Sequence, residues 1–518
     1  MYWLLYNQSM QNSIDNLPDD PAALKEIILQ MQGQLTQKLA QIALLNAQLQ
    51  VLRRSQFGRS SEQIDRHIHQ LELQLEELEI NVSEITATLP EPLKIKQQPR
   101  RREHLPDHLP REEHRFDVGC QCPDCGGRLT HIGDDVAEVL DVLPVRFRVI
   151  KTIRPKYSCR ACESIHQAAA PERVIPRGLA SASLLTKVLV DKYLDHQPLY
   201  RQVDIMKREG VELERSTLAD WVGQASFLLQ PLTELIGKHV LAGDKVHADD
   251  TTAPTLSPGK GKTATGRYWT YVRDSRPSGD NTPPAVWLKY SENRQGIHPE
   301  THLKGFEGVL QADAFAGYNG VYTGKVIAAG CWAHVRRKFY DLTQSGPAPL
   351  ADEALQQIQA LYVIEDKIRG LPPDKRKHQR QLYAKPLLDR LHDWMNRTLR
   401  GLSKGSPLSK AIQYALKQWD ALVVYVSHGQ VEIDNNTAER SLRPIALGRK
   451  NYLFAGSVAG GERAAVIYTL LGSAKLNGLN PTEYLSCVLR RIGNYPINRL
   501  AELLPWNIDL TPILGESL

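Results

Sequence analysis

The chain has 518 residues, 42% of them hydrophobic, and its 64 basic against 58 acidic side chains leave a formal net charge of +6. Length predicts about three or four folded units, while so mild a charge excess excludes an argument for nucleic acid from the total, leaving local clusters to carry it. Met1–Tyr6 is apolar but has no basic flank, so it does not read as a secretory signal, and no later segment approaches about eighteen apolar residues; the expectation is a cytoplasmic protein.

Leu24, Ile28, Met31, Leu35, Lys38, Ile42, Leu45, Leu49 and Leu52 recur at alternating steps of four and three, the seam of a coiled coil broken only by Lys38. The pattern predicts a zipper that makes the chain a homo-oligomer; the alternative is a long amphipathic helix packed on its own chain. Gly33 lies off the seam and lowers helix propensity slightly. The run Arg53–Ser61 ends this helix, and Ile64, Ile68, Leu71, Leu75, Leu78 and Val82 share one face of a second, so residues 20–88 read as a helical hairpin. Residues 89–115 are rich in proline, glutamine and base, with Arg100, Arg101 and Arg102 adjacent. They read as a linker whose arginines either touch phosphates or form a solvated charge run.

Cys122-Pro-Asp-Cys125 and Cys159-Arg-Ala-Cys162 are two knuckles in which a tight turn aims two thiolates at one point, and four such sulfurs satisfy tetrahedral Zn²⁺. Between them Val145, Phe147 and Val149 alternate with Arg146 and Arg148, as in a strand pair. Residues 116–170 therefore read as a four-cysteine zinc ribbon in a reducing compartment. Cys120 is a spare thiol that could compete for the metal, and the ribbon could bind DNA or only brace the fold. In residues 178–235 apolar positions fall at helical spacing, interrupted at Gly210 before Ser216 and Thr217, with Lys207, Arg208 and Arg215 nearby. This resembles a helix-turn-helix that could read a major groove; an ordinary helical bundle is the alternative.

After Gly243 the pattern turns to strands: Lys245–Ala248, Arg267–Val272 and Ala285–Tyr290, a short helix near His298–Leu303, then Gly308–Ala312 and Lys325–Ala329. Three meander strands, a helix and two further strands is the order of the ribonuclease-H-like fold. The reading places Asp249 and Asp250 at the end of the first strand and Asp313 at the end of the fourth. Two hard cations about 3.5–4 Å apart would serve phosphodiester cleavage and strand transfer, and a few carboxylates suffice to hold Mg²⁺. Asp249 or Asp250 with Asp313 could supply two. The third, Glu439, should open a late helix after a strand-like Val423–Val431, although Asn436 and Glu439 would equally make a capping box. Arg443, Arg449 and Lys450 follow as a basic ridge for phosphates, with Pro444 expected to kink the helix. Between Asp313 and Glu439 lies a charged helical insertion, residues 340–430, containing Trp394 and Trp419. Cys331 and His334 precede it in Cys331-Trp-Ala-His334-Val-Arg336-Arg337-Lys338; they either coordinate metal or form an ordered pair, since two residues alone do not make a zinc site.

Taken together these blocks resemble the transposases of the bacterial insertion-sequence 66 family nearly end to end. The resemblance rests on Gln56-Phe57-Gly58-Arg59-Ser60-Ser61-Glu62, Leu105-Pro-Asp-His-Leu-Pro110, Cys122-Pro-Asp-Cys125-Gly and His247-Ala-Asp249-Asp250-Thr251. It rests equally on Leu310-Gln-Ala-Asp313, Trp332-Ala-His334, Asp434-Asn-Asn-Thr-Ala-Glu439-Arg440, Arg449-Lys-Asn-Tyr-Leu-Phe-Ala-Gly456 and Ala474-Lys-Leu-Asn477-Gly478. It implies a multidomain α+β protein: coiled coil, four-cysteine ribbon, helical DNA-binding segment, ribonuclease-H-like α/β core over residues 240–465, and a C-terminal helical element over 466–518. It also implies a DDE mechanism with Asp249, Asp313 and Glu439 holding Mg²⁺ (or Mn²⁺), which selects Asp249 over Asp250. Double-stranded DNA as partner, contacts through Arg443, Arg449, Lys450, Arg336 and Arg337, accessory proteins from the same element and a nucleoid-associated location follow as expectations. One departure is that Asp250 stands where the family usually carries Glu.

Overall fold

The computed structural model describes residues 21–55, 71, 74–75, 78–82, 105, 107, 109–119, 121–143, 146–257, 262–344, 346–452 and 455–510. Helix and sheet are mixed in two compact units, residues 1–232 with 480–518, and residues 233–479. Among the described residues no helix is long and apolar enough to cross a membrane.

The first unit begins with α1 (Pro21–Ser55). Leu35, Leu39 and Ile42 pack around Val82, while Ile42 and Leu45 pack around Leu71 and Leu75, so the later segment runs back along the helix. The middle of the apolar seam is thus covered by the same chain. Leu29 and Leu44 stay 57% and 60% exposed. Ile64, Ile68, Cys120 and Arg100–Arg102 lie outside the described residues.

Arg111–Arg115, which composition assigns to the linker, form strand β1 instead. The physical reason is a charge ladder across the sheet. β1 runs parallel to β3 (Arg146–Cys159), which pairs antiparallel with β2 (Leu129–Leu143), and β4 (Ile165–Gln167) joins the other end of β3. Arg148 meets Glu112 at 2.6 Å and Asp141 at 2.8 Å, and Arg111 meets Glu138 at 3.2 Å. Opposite charges facing across strands stabilise the pairing. Helices α2 (Ala182–Tyr193), α3 (Leu199–Arg208) and α4 (Arg215–Leu241) follow, with Ser181 capping α2 through Leu184 N–H at 3.2 Å. The turn before α4 uses Gly210 at φ +80, a conformation other residues resist.

The second unit is built on a five-stranded sheet in the order β7-β6-β5-β8-β9. β5 (Lys245–Ser257), β6 (Lys262–Arg273) and β7 (Ala285–Ser291) form an antiparallel meander; β8 (Gly308–Gln311) runs parallel to β5, and β9 (Val326–Ala329) parallel to β8. The short α5 (Ile297–His302) connects β7 to β8. After β9 come α6 (Trp332–Thr343), α7 (Pro349–Ile368), α8 (Pro373–Gln379), a π-helical turn (Arg380–Ala384), α9 (Lys385–Arg400), α10 (Pro407–Lys417) and α11 (Trp419–Ser427). They share one core in which Trp332, Phe339, Ile358, Leu388, Ile412 and Tyr425 are all essentially inaccessible. The valine-rich stretch expected as a strand is therefore the helix α11. Its β-branched residues take the conformation that buries Val426, because intrinsic propensity is a weak prior beside packing.

Beneath α11 lies a buried ionic cluster. Arg376 and Arg380 are 1% and 0% exposed and share Glu365, at 3.3 and 2.6 Å, and Arg376 also reaches Glu432 at 2.9 Å. Arg376 also donates to the Gly429 carbonyl and Arg380 to that of Tyr425. Then α12 (Asn436–Tyr452) and α13 (Val458–Leu476) return to the sheet, α13 lying along β7 with Ser473 and Thr469 bonded to its backbone. Pro444 sits inside α12, which continues past it as one element. In the first unit α14 (Pro481–Ile492) packs its apolar face on α2, and a short 3-10 helix (Ile497–Leu503) follows it.

Candidate active site and metal centres

β8 pairs with β5 only over Lys245–His247, while β5 stays paired with β6 as far as Ser257. Asp249 and Asp250 are therefore in the interior of a long strand and not at its end. They follow the last residue held by β8, and Asp313 emerges two residues after Gln311 on the neighbouring strand. Where two parallel strands part, side chains and backbone ends become available for a ligand, as at the carboxyl ends of open α/β sheets.

The start of α12 is latched to the same point. Asn435 accepts from His247 Nδ1 at 3.0 Å through Oδ1 and donates from Nδ2 to the Ala248 carbonyl at 2.8 Å. The Ser441 hydroxyl lies 2.8 Å from that of Thr270, the cross-strand partner of Asp249. Gln311 donates to the Glu432 carbonyl at 2.6 Å and accepts its N–H at 3.3 Å. His247 is fully buried, and burial pushes its pKa down to about 3, so its neutral ring donates from Nδ1.

The alternative arrangement, a capping box of Asn436 and Glu439, does not form. Asn436 is already helical; its N–H goes to Asp434 Oδ1 at 3.2 Å, and the Asn435 side chain is committed to β5. Glu439 is thus not tied to the helix start. Asp249 has its pKa raised to about 7, first by burial and then by the charges of Asp313, Asp250 and Glu439. The four carboxyl groups share one electrostatic neighbourhood.

Asp250 is different in kind. Its side chain is 1% exposed and clamped by Arg267 at 2.8 Å and Arg294 at 2.8 Å. Arg294 also faces Asp313 at 3.6 Å and stacks 3.8 Å above the Phe315 ring. With its oxygens occupied by guanidinium groups, Asp250 is the worse cation ligand of the adjacent pair. The arginines that decide this lie 17 and 44 residues downstream, and nothing in local spacing reveals them.

The basic residues separate into two groups. Arg443, Lys450, Arg336 and Arg337 are exposed. Arg449 instead donates to the Thr252 carbonyl at 2.9 Å and to its hydroxyl, bracing the end of α12 against β5. Arg449 thus makes an internal contact that the sequence did not indicate.

In the first unit Cys122, Cys125, Cys159 and Cys162 place their sulfurs within 4.8 Å of one another, with the closest pairs 3.5 and 3.6 Å apart. Zn–S bonds of about 2.3 Å at tetrahedral angles set sulfurs roughly 3.8 Å apart, so the donors fit Zn²⁺. Gly127 gives the backbone room, since a Cβ there would lie 3.2 Å from Cys159 Sγ. Sequence reasoning missed His166, whose Nε2 lies 3.1 Å from Cys122 Sγ. Replacing both Cys122 and Cys159 by serine is expected to lose one zinc per chain and open residues 116–170 to protease, while a fragment near residues 233–479 persists. Metal analysis with limited proteolysis checks this.

A family model described as Transposase IS66 family matches residues 177–463. Others described as the zinc-finger binding domain of transposase IS66, Transposase C of IS166 homeodomain and IS66 C-terminal element match residues 120–163, 44–113 and 469–506. The uncharacterized protein y4qI of Sinorhizobium fredii is 38% identical over 530 residues, covering 95% of this chain and 98% of that one. From the same organism, y4hP is 42% identical over 423 residues, covering 78% of this chain and 76% of its own length.

Proposed function

The chain belongs to the IS66 transposase family, and on that premise we propose that it cleaves DNA at the ends of its insertion sequence and joins them to target DNA. What supports this reading is that Asp249 and Asp313 stand on adjacent parallel strands and Glu439 on a helix latched to the first of them, near enough for the charges of Asp313 and Glu439 to act on Asp249. The strand order of the second unit supports a ribonuclease-H-like core over residues 240–465 with a helical insertion over 340–430.

Burial and the nearby charges of Asp313 and Glu439 raise the pKa of Asp249; a group of carboxylates suits hard divalent cations, and Asp249, Asp313 and Glu439 would hold Mg²⁺ or Mn²⁺. Bound there, two such ions supply activation of the attacking oxygen and stabilisation of the leaving oxygen. The protein's own part is positional. Asp249 must release its proton to act as a ligand, Asn435 and Ser441 set the approach of Glu439, and the Asp250 clamp keeps Arg294 beside Asp313. Water attacks first and exposes a 3′ hydroxyl, which then attacks target DNA in line, so no covalent protein intermediate is required.

Exposed Arg443, Lys450, Arg336 and Arg337 are assigned to phosphate contacts, and the ribbon (116–170) and helical segment (178–235) to duplex binding. Self-association through α1, accessory proteins encoded by the same element and a nucleoid-associated location complete the reading.

The decisive assay is Mg²⁺-dependent cleavage and strand transfer on DNA from the element's borders, wild type beside Glu439→Gln. Border-specific nicking lost in the variant is expected. Binding without nicking in both proteins would instead favour a DNA-binding regulator. Asn435→Ala is expected to lower cleavage roughly a hundredfold, because it frees α12 from β5 and a misplacement of about 1 Å is that costly. Single-turnover rates beside unchanged border-DNA affinity check it.

A further inference from the structure

We propose that Cys331, His334 and Glu439 form a second transition-metal site, selective for Zn²⁺ or a similar soft-to-borderline cation, that shares Glu439 with the catalytic carboxylates. Cys331 immediately precedes α6 and His334 lies in its first turn, while Glu439 lies in the first turn of α12. The Asn435 N–H donates to Cys331 Sγ at 3.2 Å, which holds the two helix starts together. One ligand atom from each of Cys331, His334 and Glu439 lies within 4.8 Å of the other two.

The geometry at the centre points to a cation. His334 Nδ1 and Glu439 Oε1 face each other at 3.8 Å, which is beyond hydrogen-bond distance. Both atoms are buried and neither has a hydrogen-bond partner among the described residues. Two buried acceptor-capable atoms left in this way are costly unless something lies between them. Ligands of one tetrahedral zinc, with bonds of about 2.0–2.3 Å, sit roughly 3.3–3.8 Å apart, so little movement would complete the site. The two side chains are 27% and 30% exposed, which leaves a route for the ion.

Donor chemistry separates this site from its neighbour. Thiolate, imidazole and one carboxylate favour zinc over magnesium, whereas Asp249 and Asp313 offer oxygen alone. Binding would displace the thiol proton to solvent, and three protein ligands leave one coordination place open. Zinc at this site would hold Glu439 away from the magnesium ligands and inhibit cleavage. That consequence rests on the catalytic reading of Glu439; the metal site itself does not.

The test is zinc content of the full-length chain after saturation and removal of free metal. Wild type should retain two zinc ions per chain, one in the ribbon and one here, and Cys331→Ser/His334→Asn should retain one. The ribbon zinc reports that the variant has folded. Should the double variant lose both, Glu439→Gln decides: one retained zinc supports the site and two overturn it. A single zinc in wild type, or two in the double variant, also overturns it. In magnesium-driven cleavage, added zinc should inhibit wild type at least about tenfold more than the double variant. A second zinc that leaves wild-type cleavage untouched overturns the sharing of Glu439, not the site.

Discussion

Asp249→Asn is expected to abolish cleavage, by at least about a thousandfold, and at the same time to stabilise the metal-free protein. The two effects share a cause. Asp249 is partly buried beside Asp313, Asp250 and Glu439, and its pKa is raised to about 7, whereas in the unfolded chain it titrates at about 3.9. Between those values the unfolded chain has released a proton that the folded chain keeps. Wild-type stability therefore falls as pH rises through this window and stays low above it. Asparagine has no proton to lose, so its advantage is largest above about pH 7, up to roughly 4 kcal/mol at about 1.4 kcal/mol per unit, and shrinks toward pH 5.

Thermal unfolding in a chelator at pH 8 and pH 5, wild type beside Asp249→Asn, reads the effect directly. Saturating Mg²⁺ should reverse the order, because a ligand that binds only the folded state stabilises it by mass action. A variant less stable than wild type at pH 8 without metal would mean that Asp249 is a structural residue. The cation-site reading would then fail at its first ligand.

The second large effect is expected far from the carboxylates. Glu365→Ala removes the shared acceptor of Arg376 and Arg380, which are 1% and 0% exposed. Two guanidinium groups left buried without that partner should cost about 3–5 kcal/mol. The loss should also reach the site. Arg376 holds Glu432, the Glu432 backbone is gripped by Gln311, and Gln311 lies two residues before Asp313. Cleavage should therefore fall under conditions where the variant remains folded.

Glu365→Gln keeps an acceptor and should lose roughly half as much stability. Replacing Glu365, Arg376 and Arg380 together by apolar residues of similar size should come close to wild-type stability, because no charge is then left unpaired. Denaturant melts distinguish these cases. A Glu365→Ala midpoint within about 1 kcal/mol of wild type would show that the cluster is wetter than its burial indicates.

Several features of the site were legible because they are local in the chain. The two Cys-x-x-Cys knuckles, the meander followed by a crossover, and Asp313 directly after a strand all depend on spacing within a few residues, and periodicity reports such spacing. The valine-rich α11 was misread for a complementary reason. A run of β-branched residues signals a strand only when no helical core claims it, and here Tyr425 and Val426 are claimed. The apolar seam of α1 reads equally as a partner-binding or a self-covering face, and Leu71, Leu75 and Val82 cover its middle from within the chain.

What the sequence determined by itself is the inventory and its local order: which residues can ligate metal, on which kind of element each stands, and the family to which the chain belongs. What only the tertiary structure decided is which of these groups are already engaged. Asp250 is occupied by Arg267 and Arg294, Arg449 by Thr252, and Asn435 by a strand 187 residues earlier, while Glu439 and His334 are left facing each other. The physical reason is that a polar side chain's availability depends on every partner within hydrogen-bond reach. Most of those partners are brought there by packing of distant segments, which local sequence periodicity does not record.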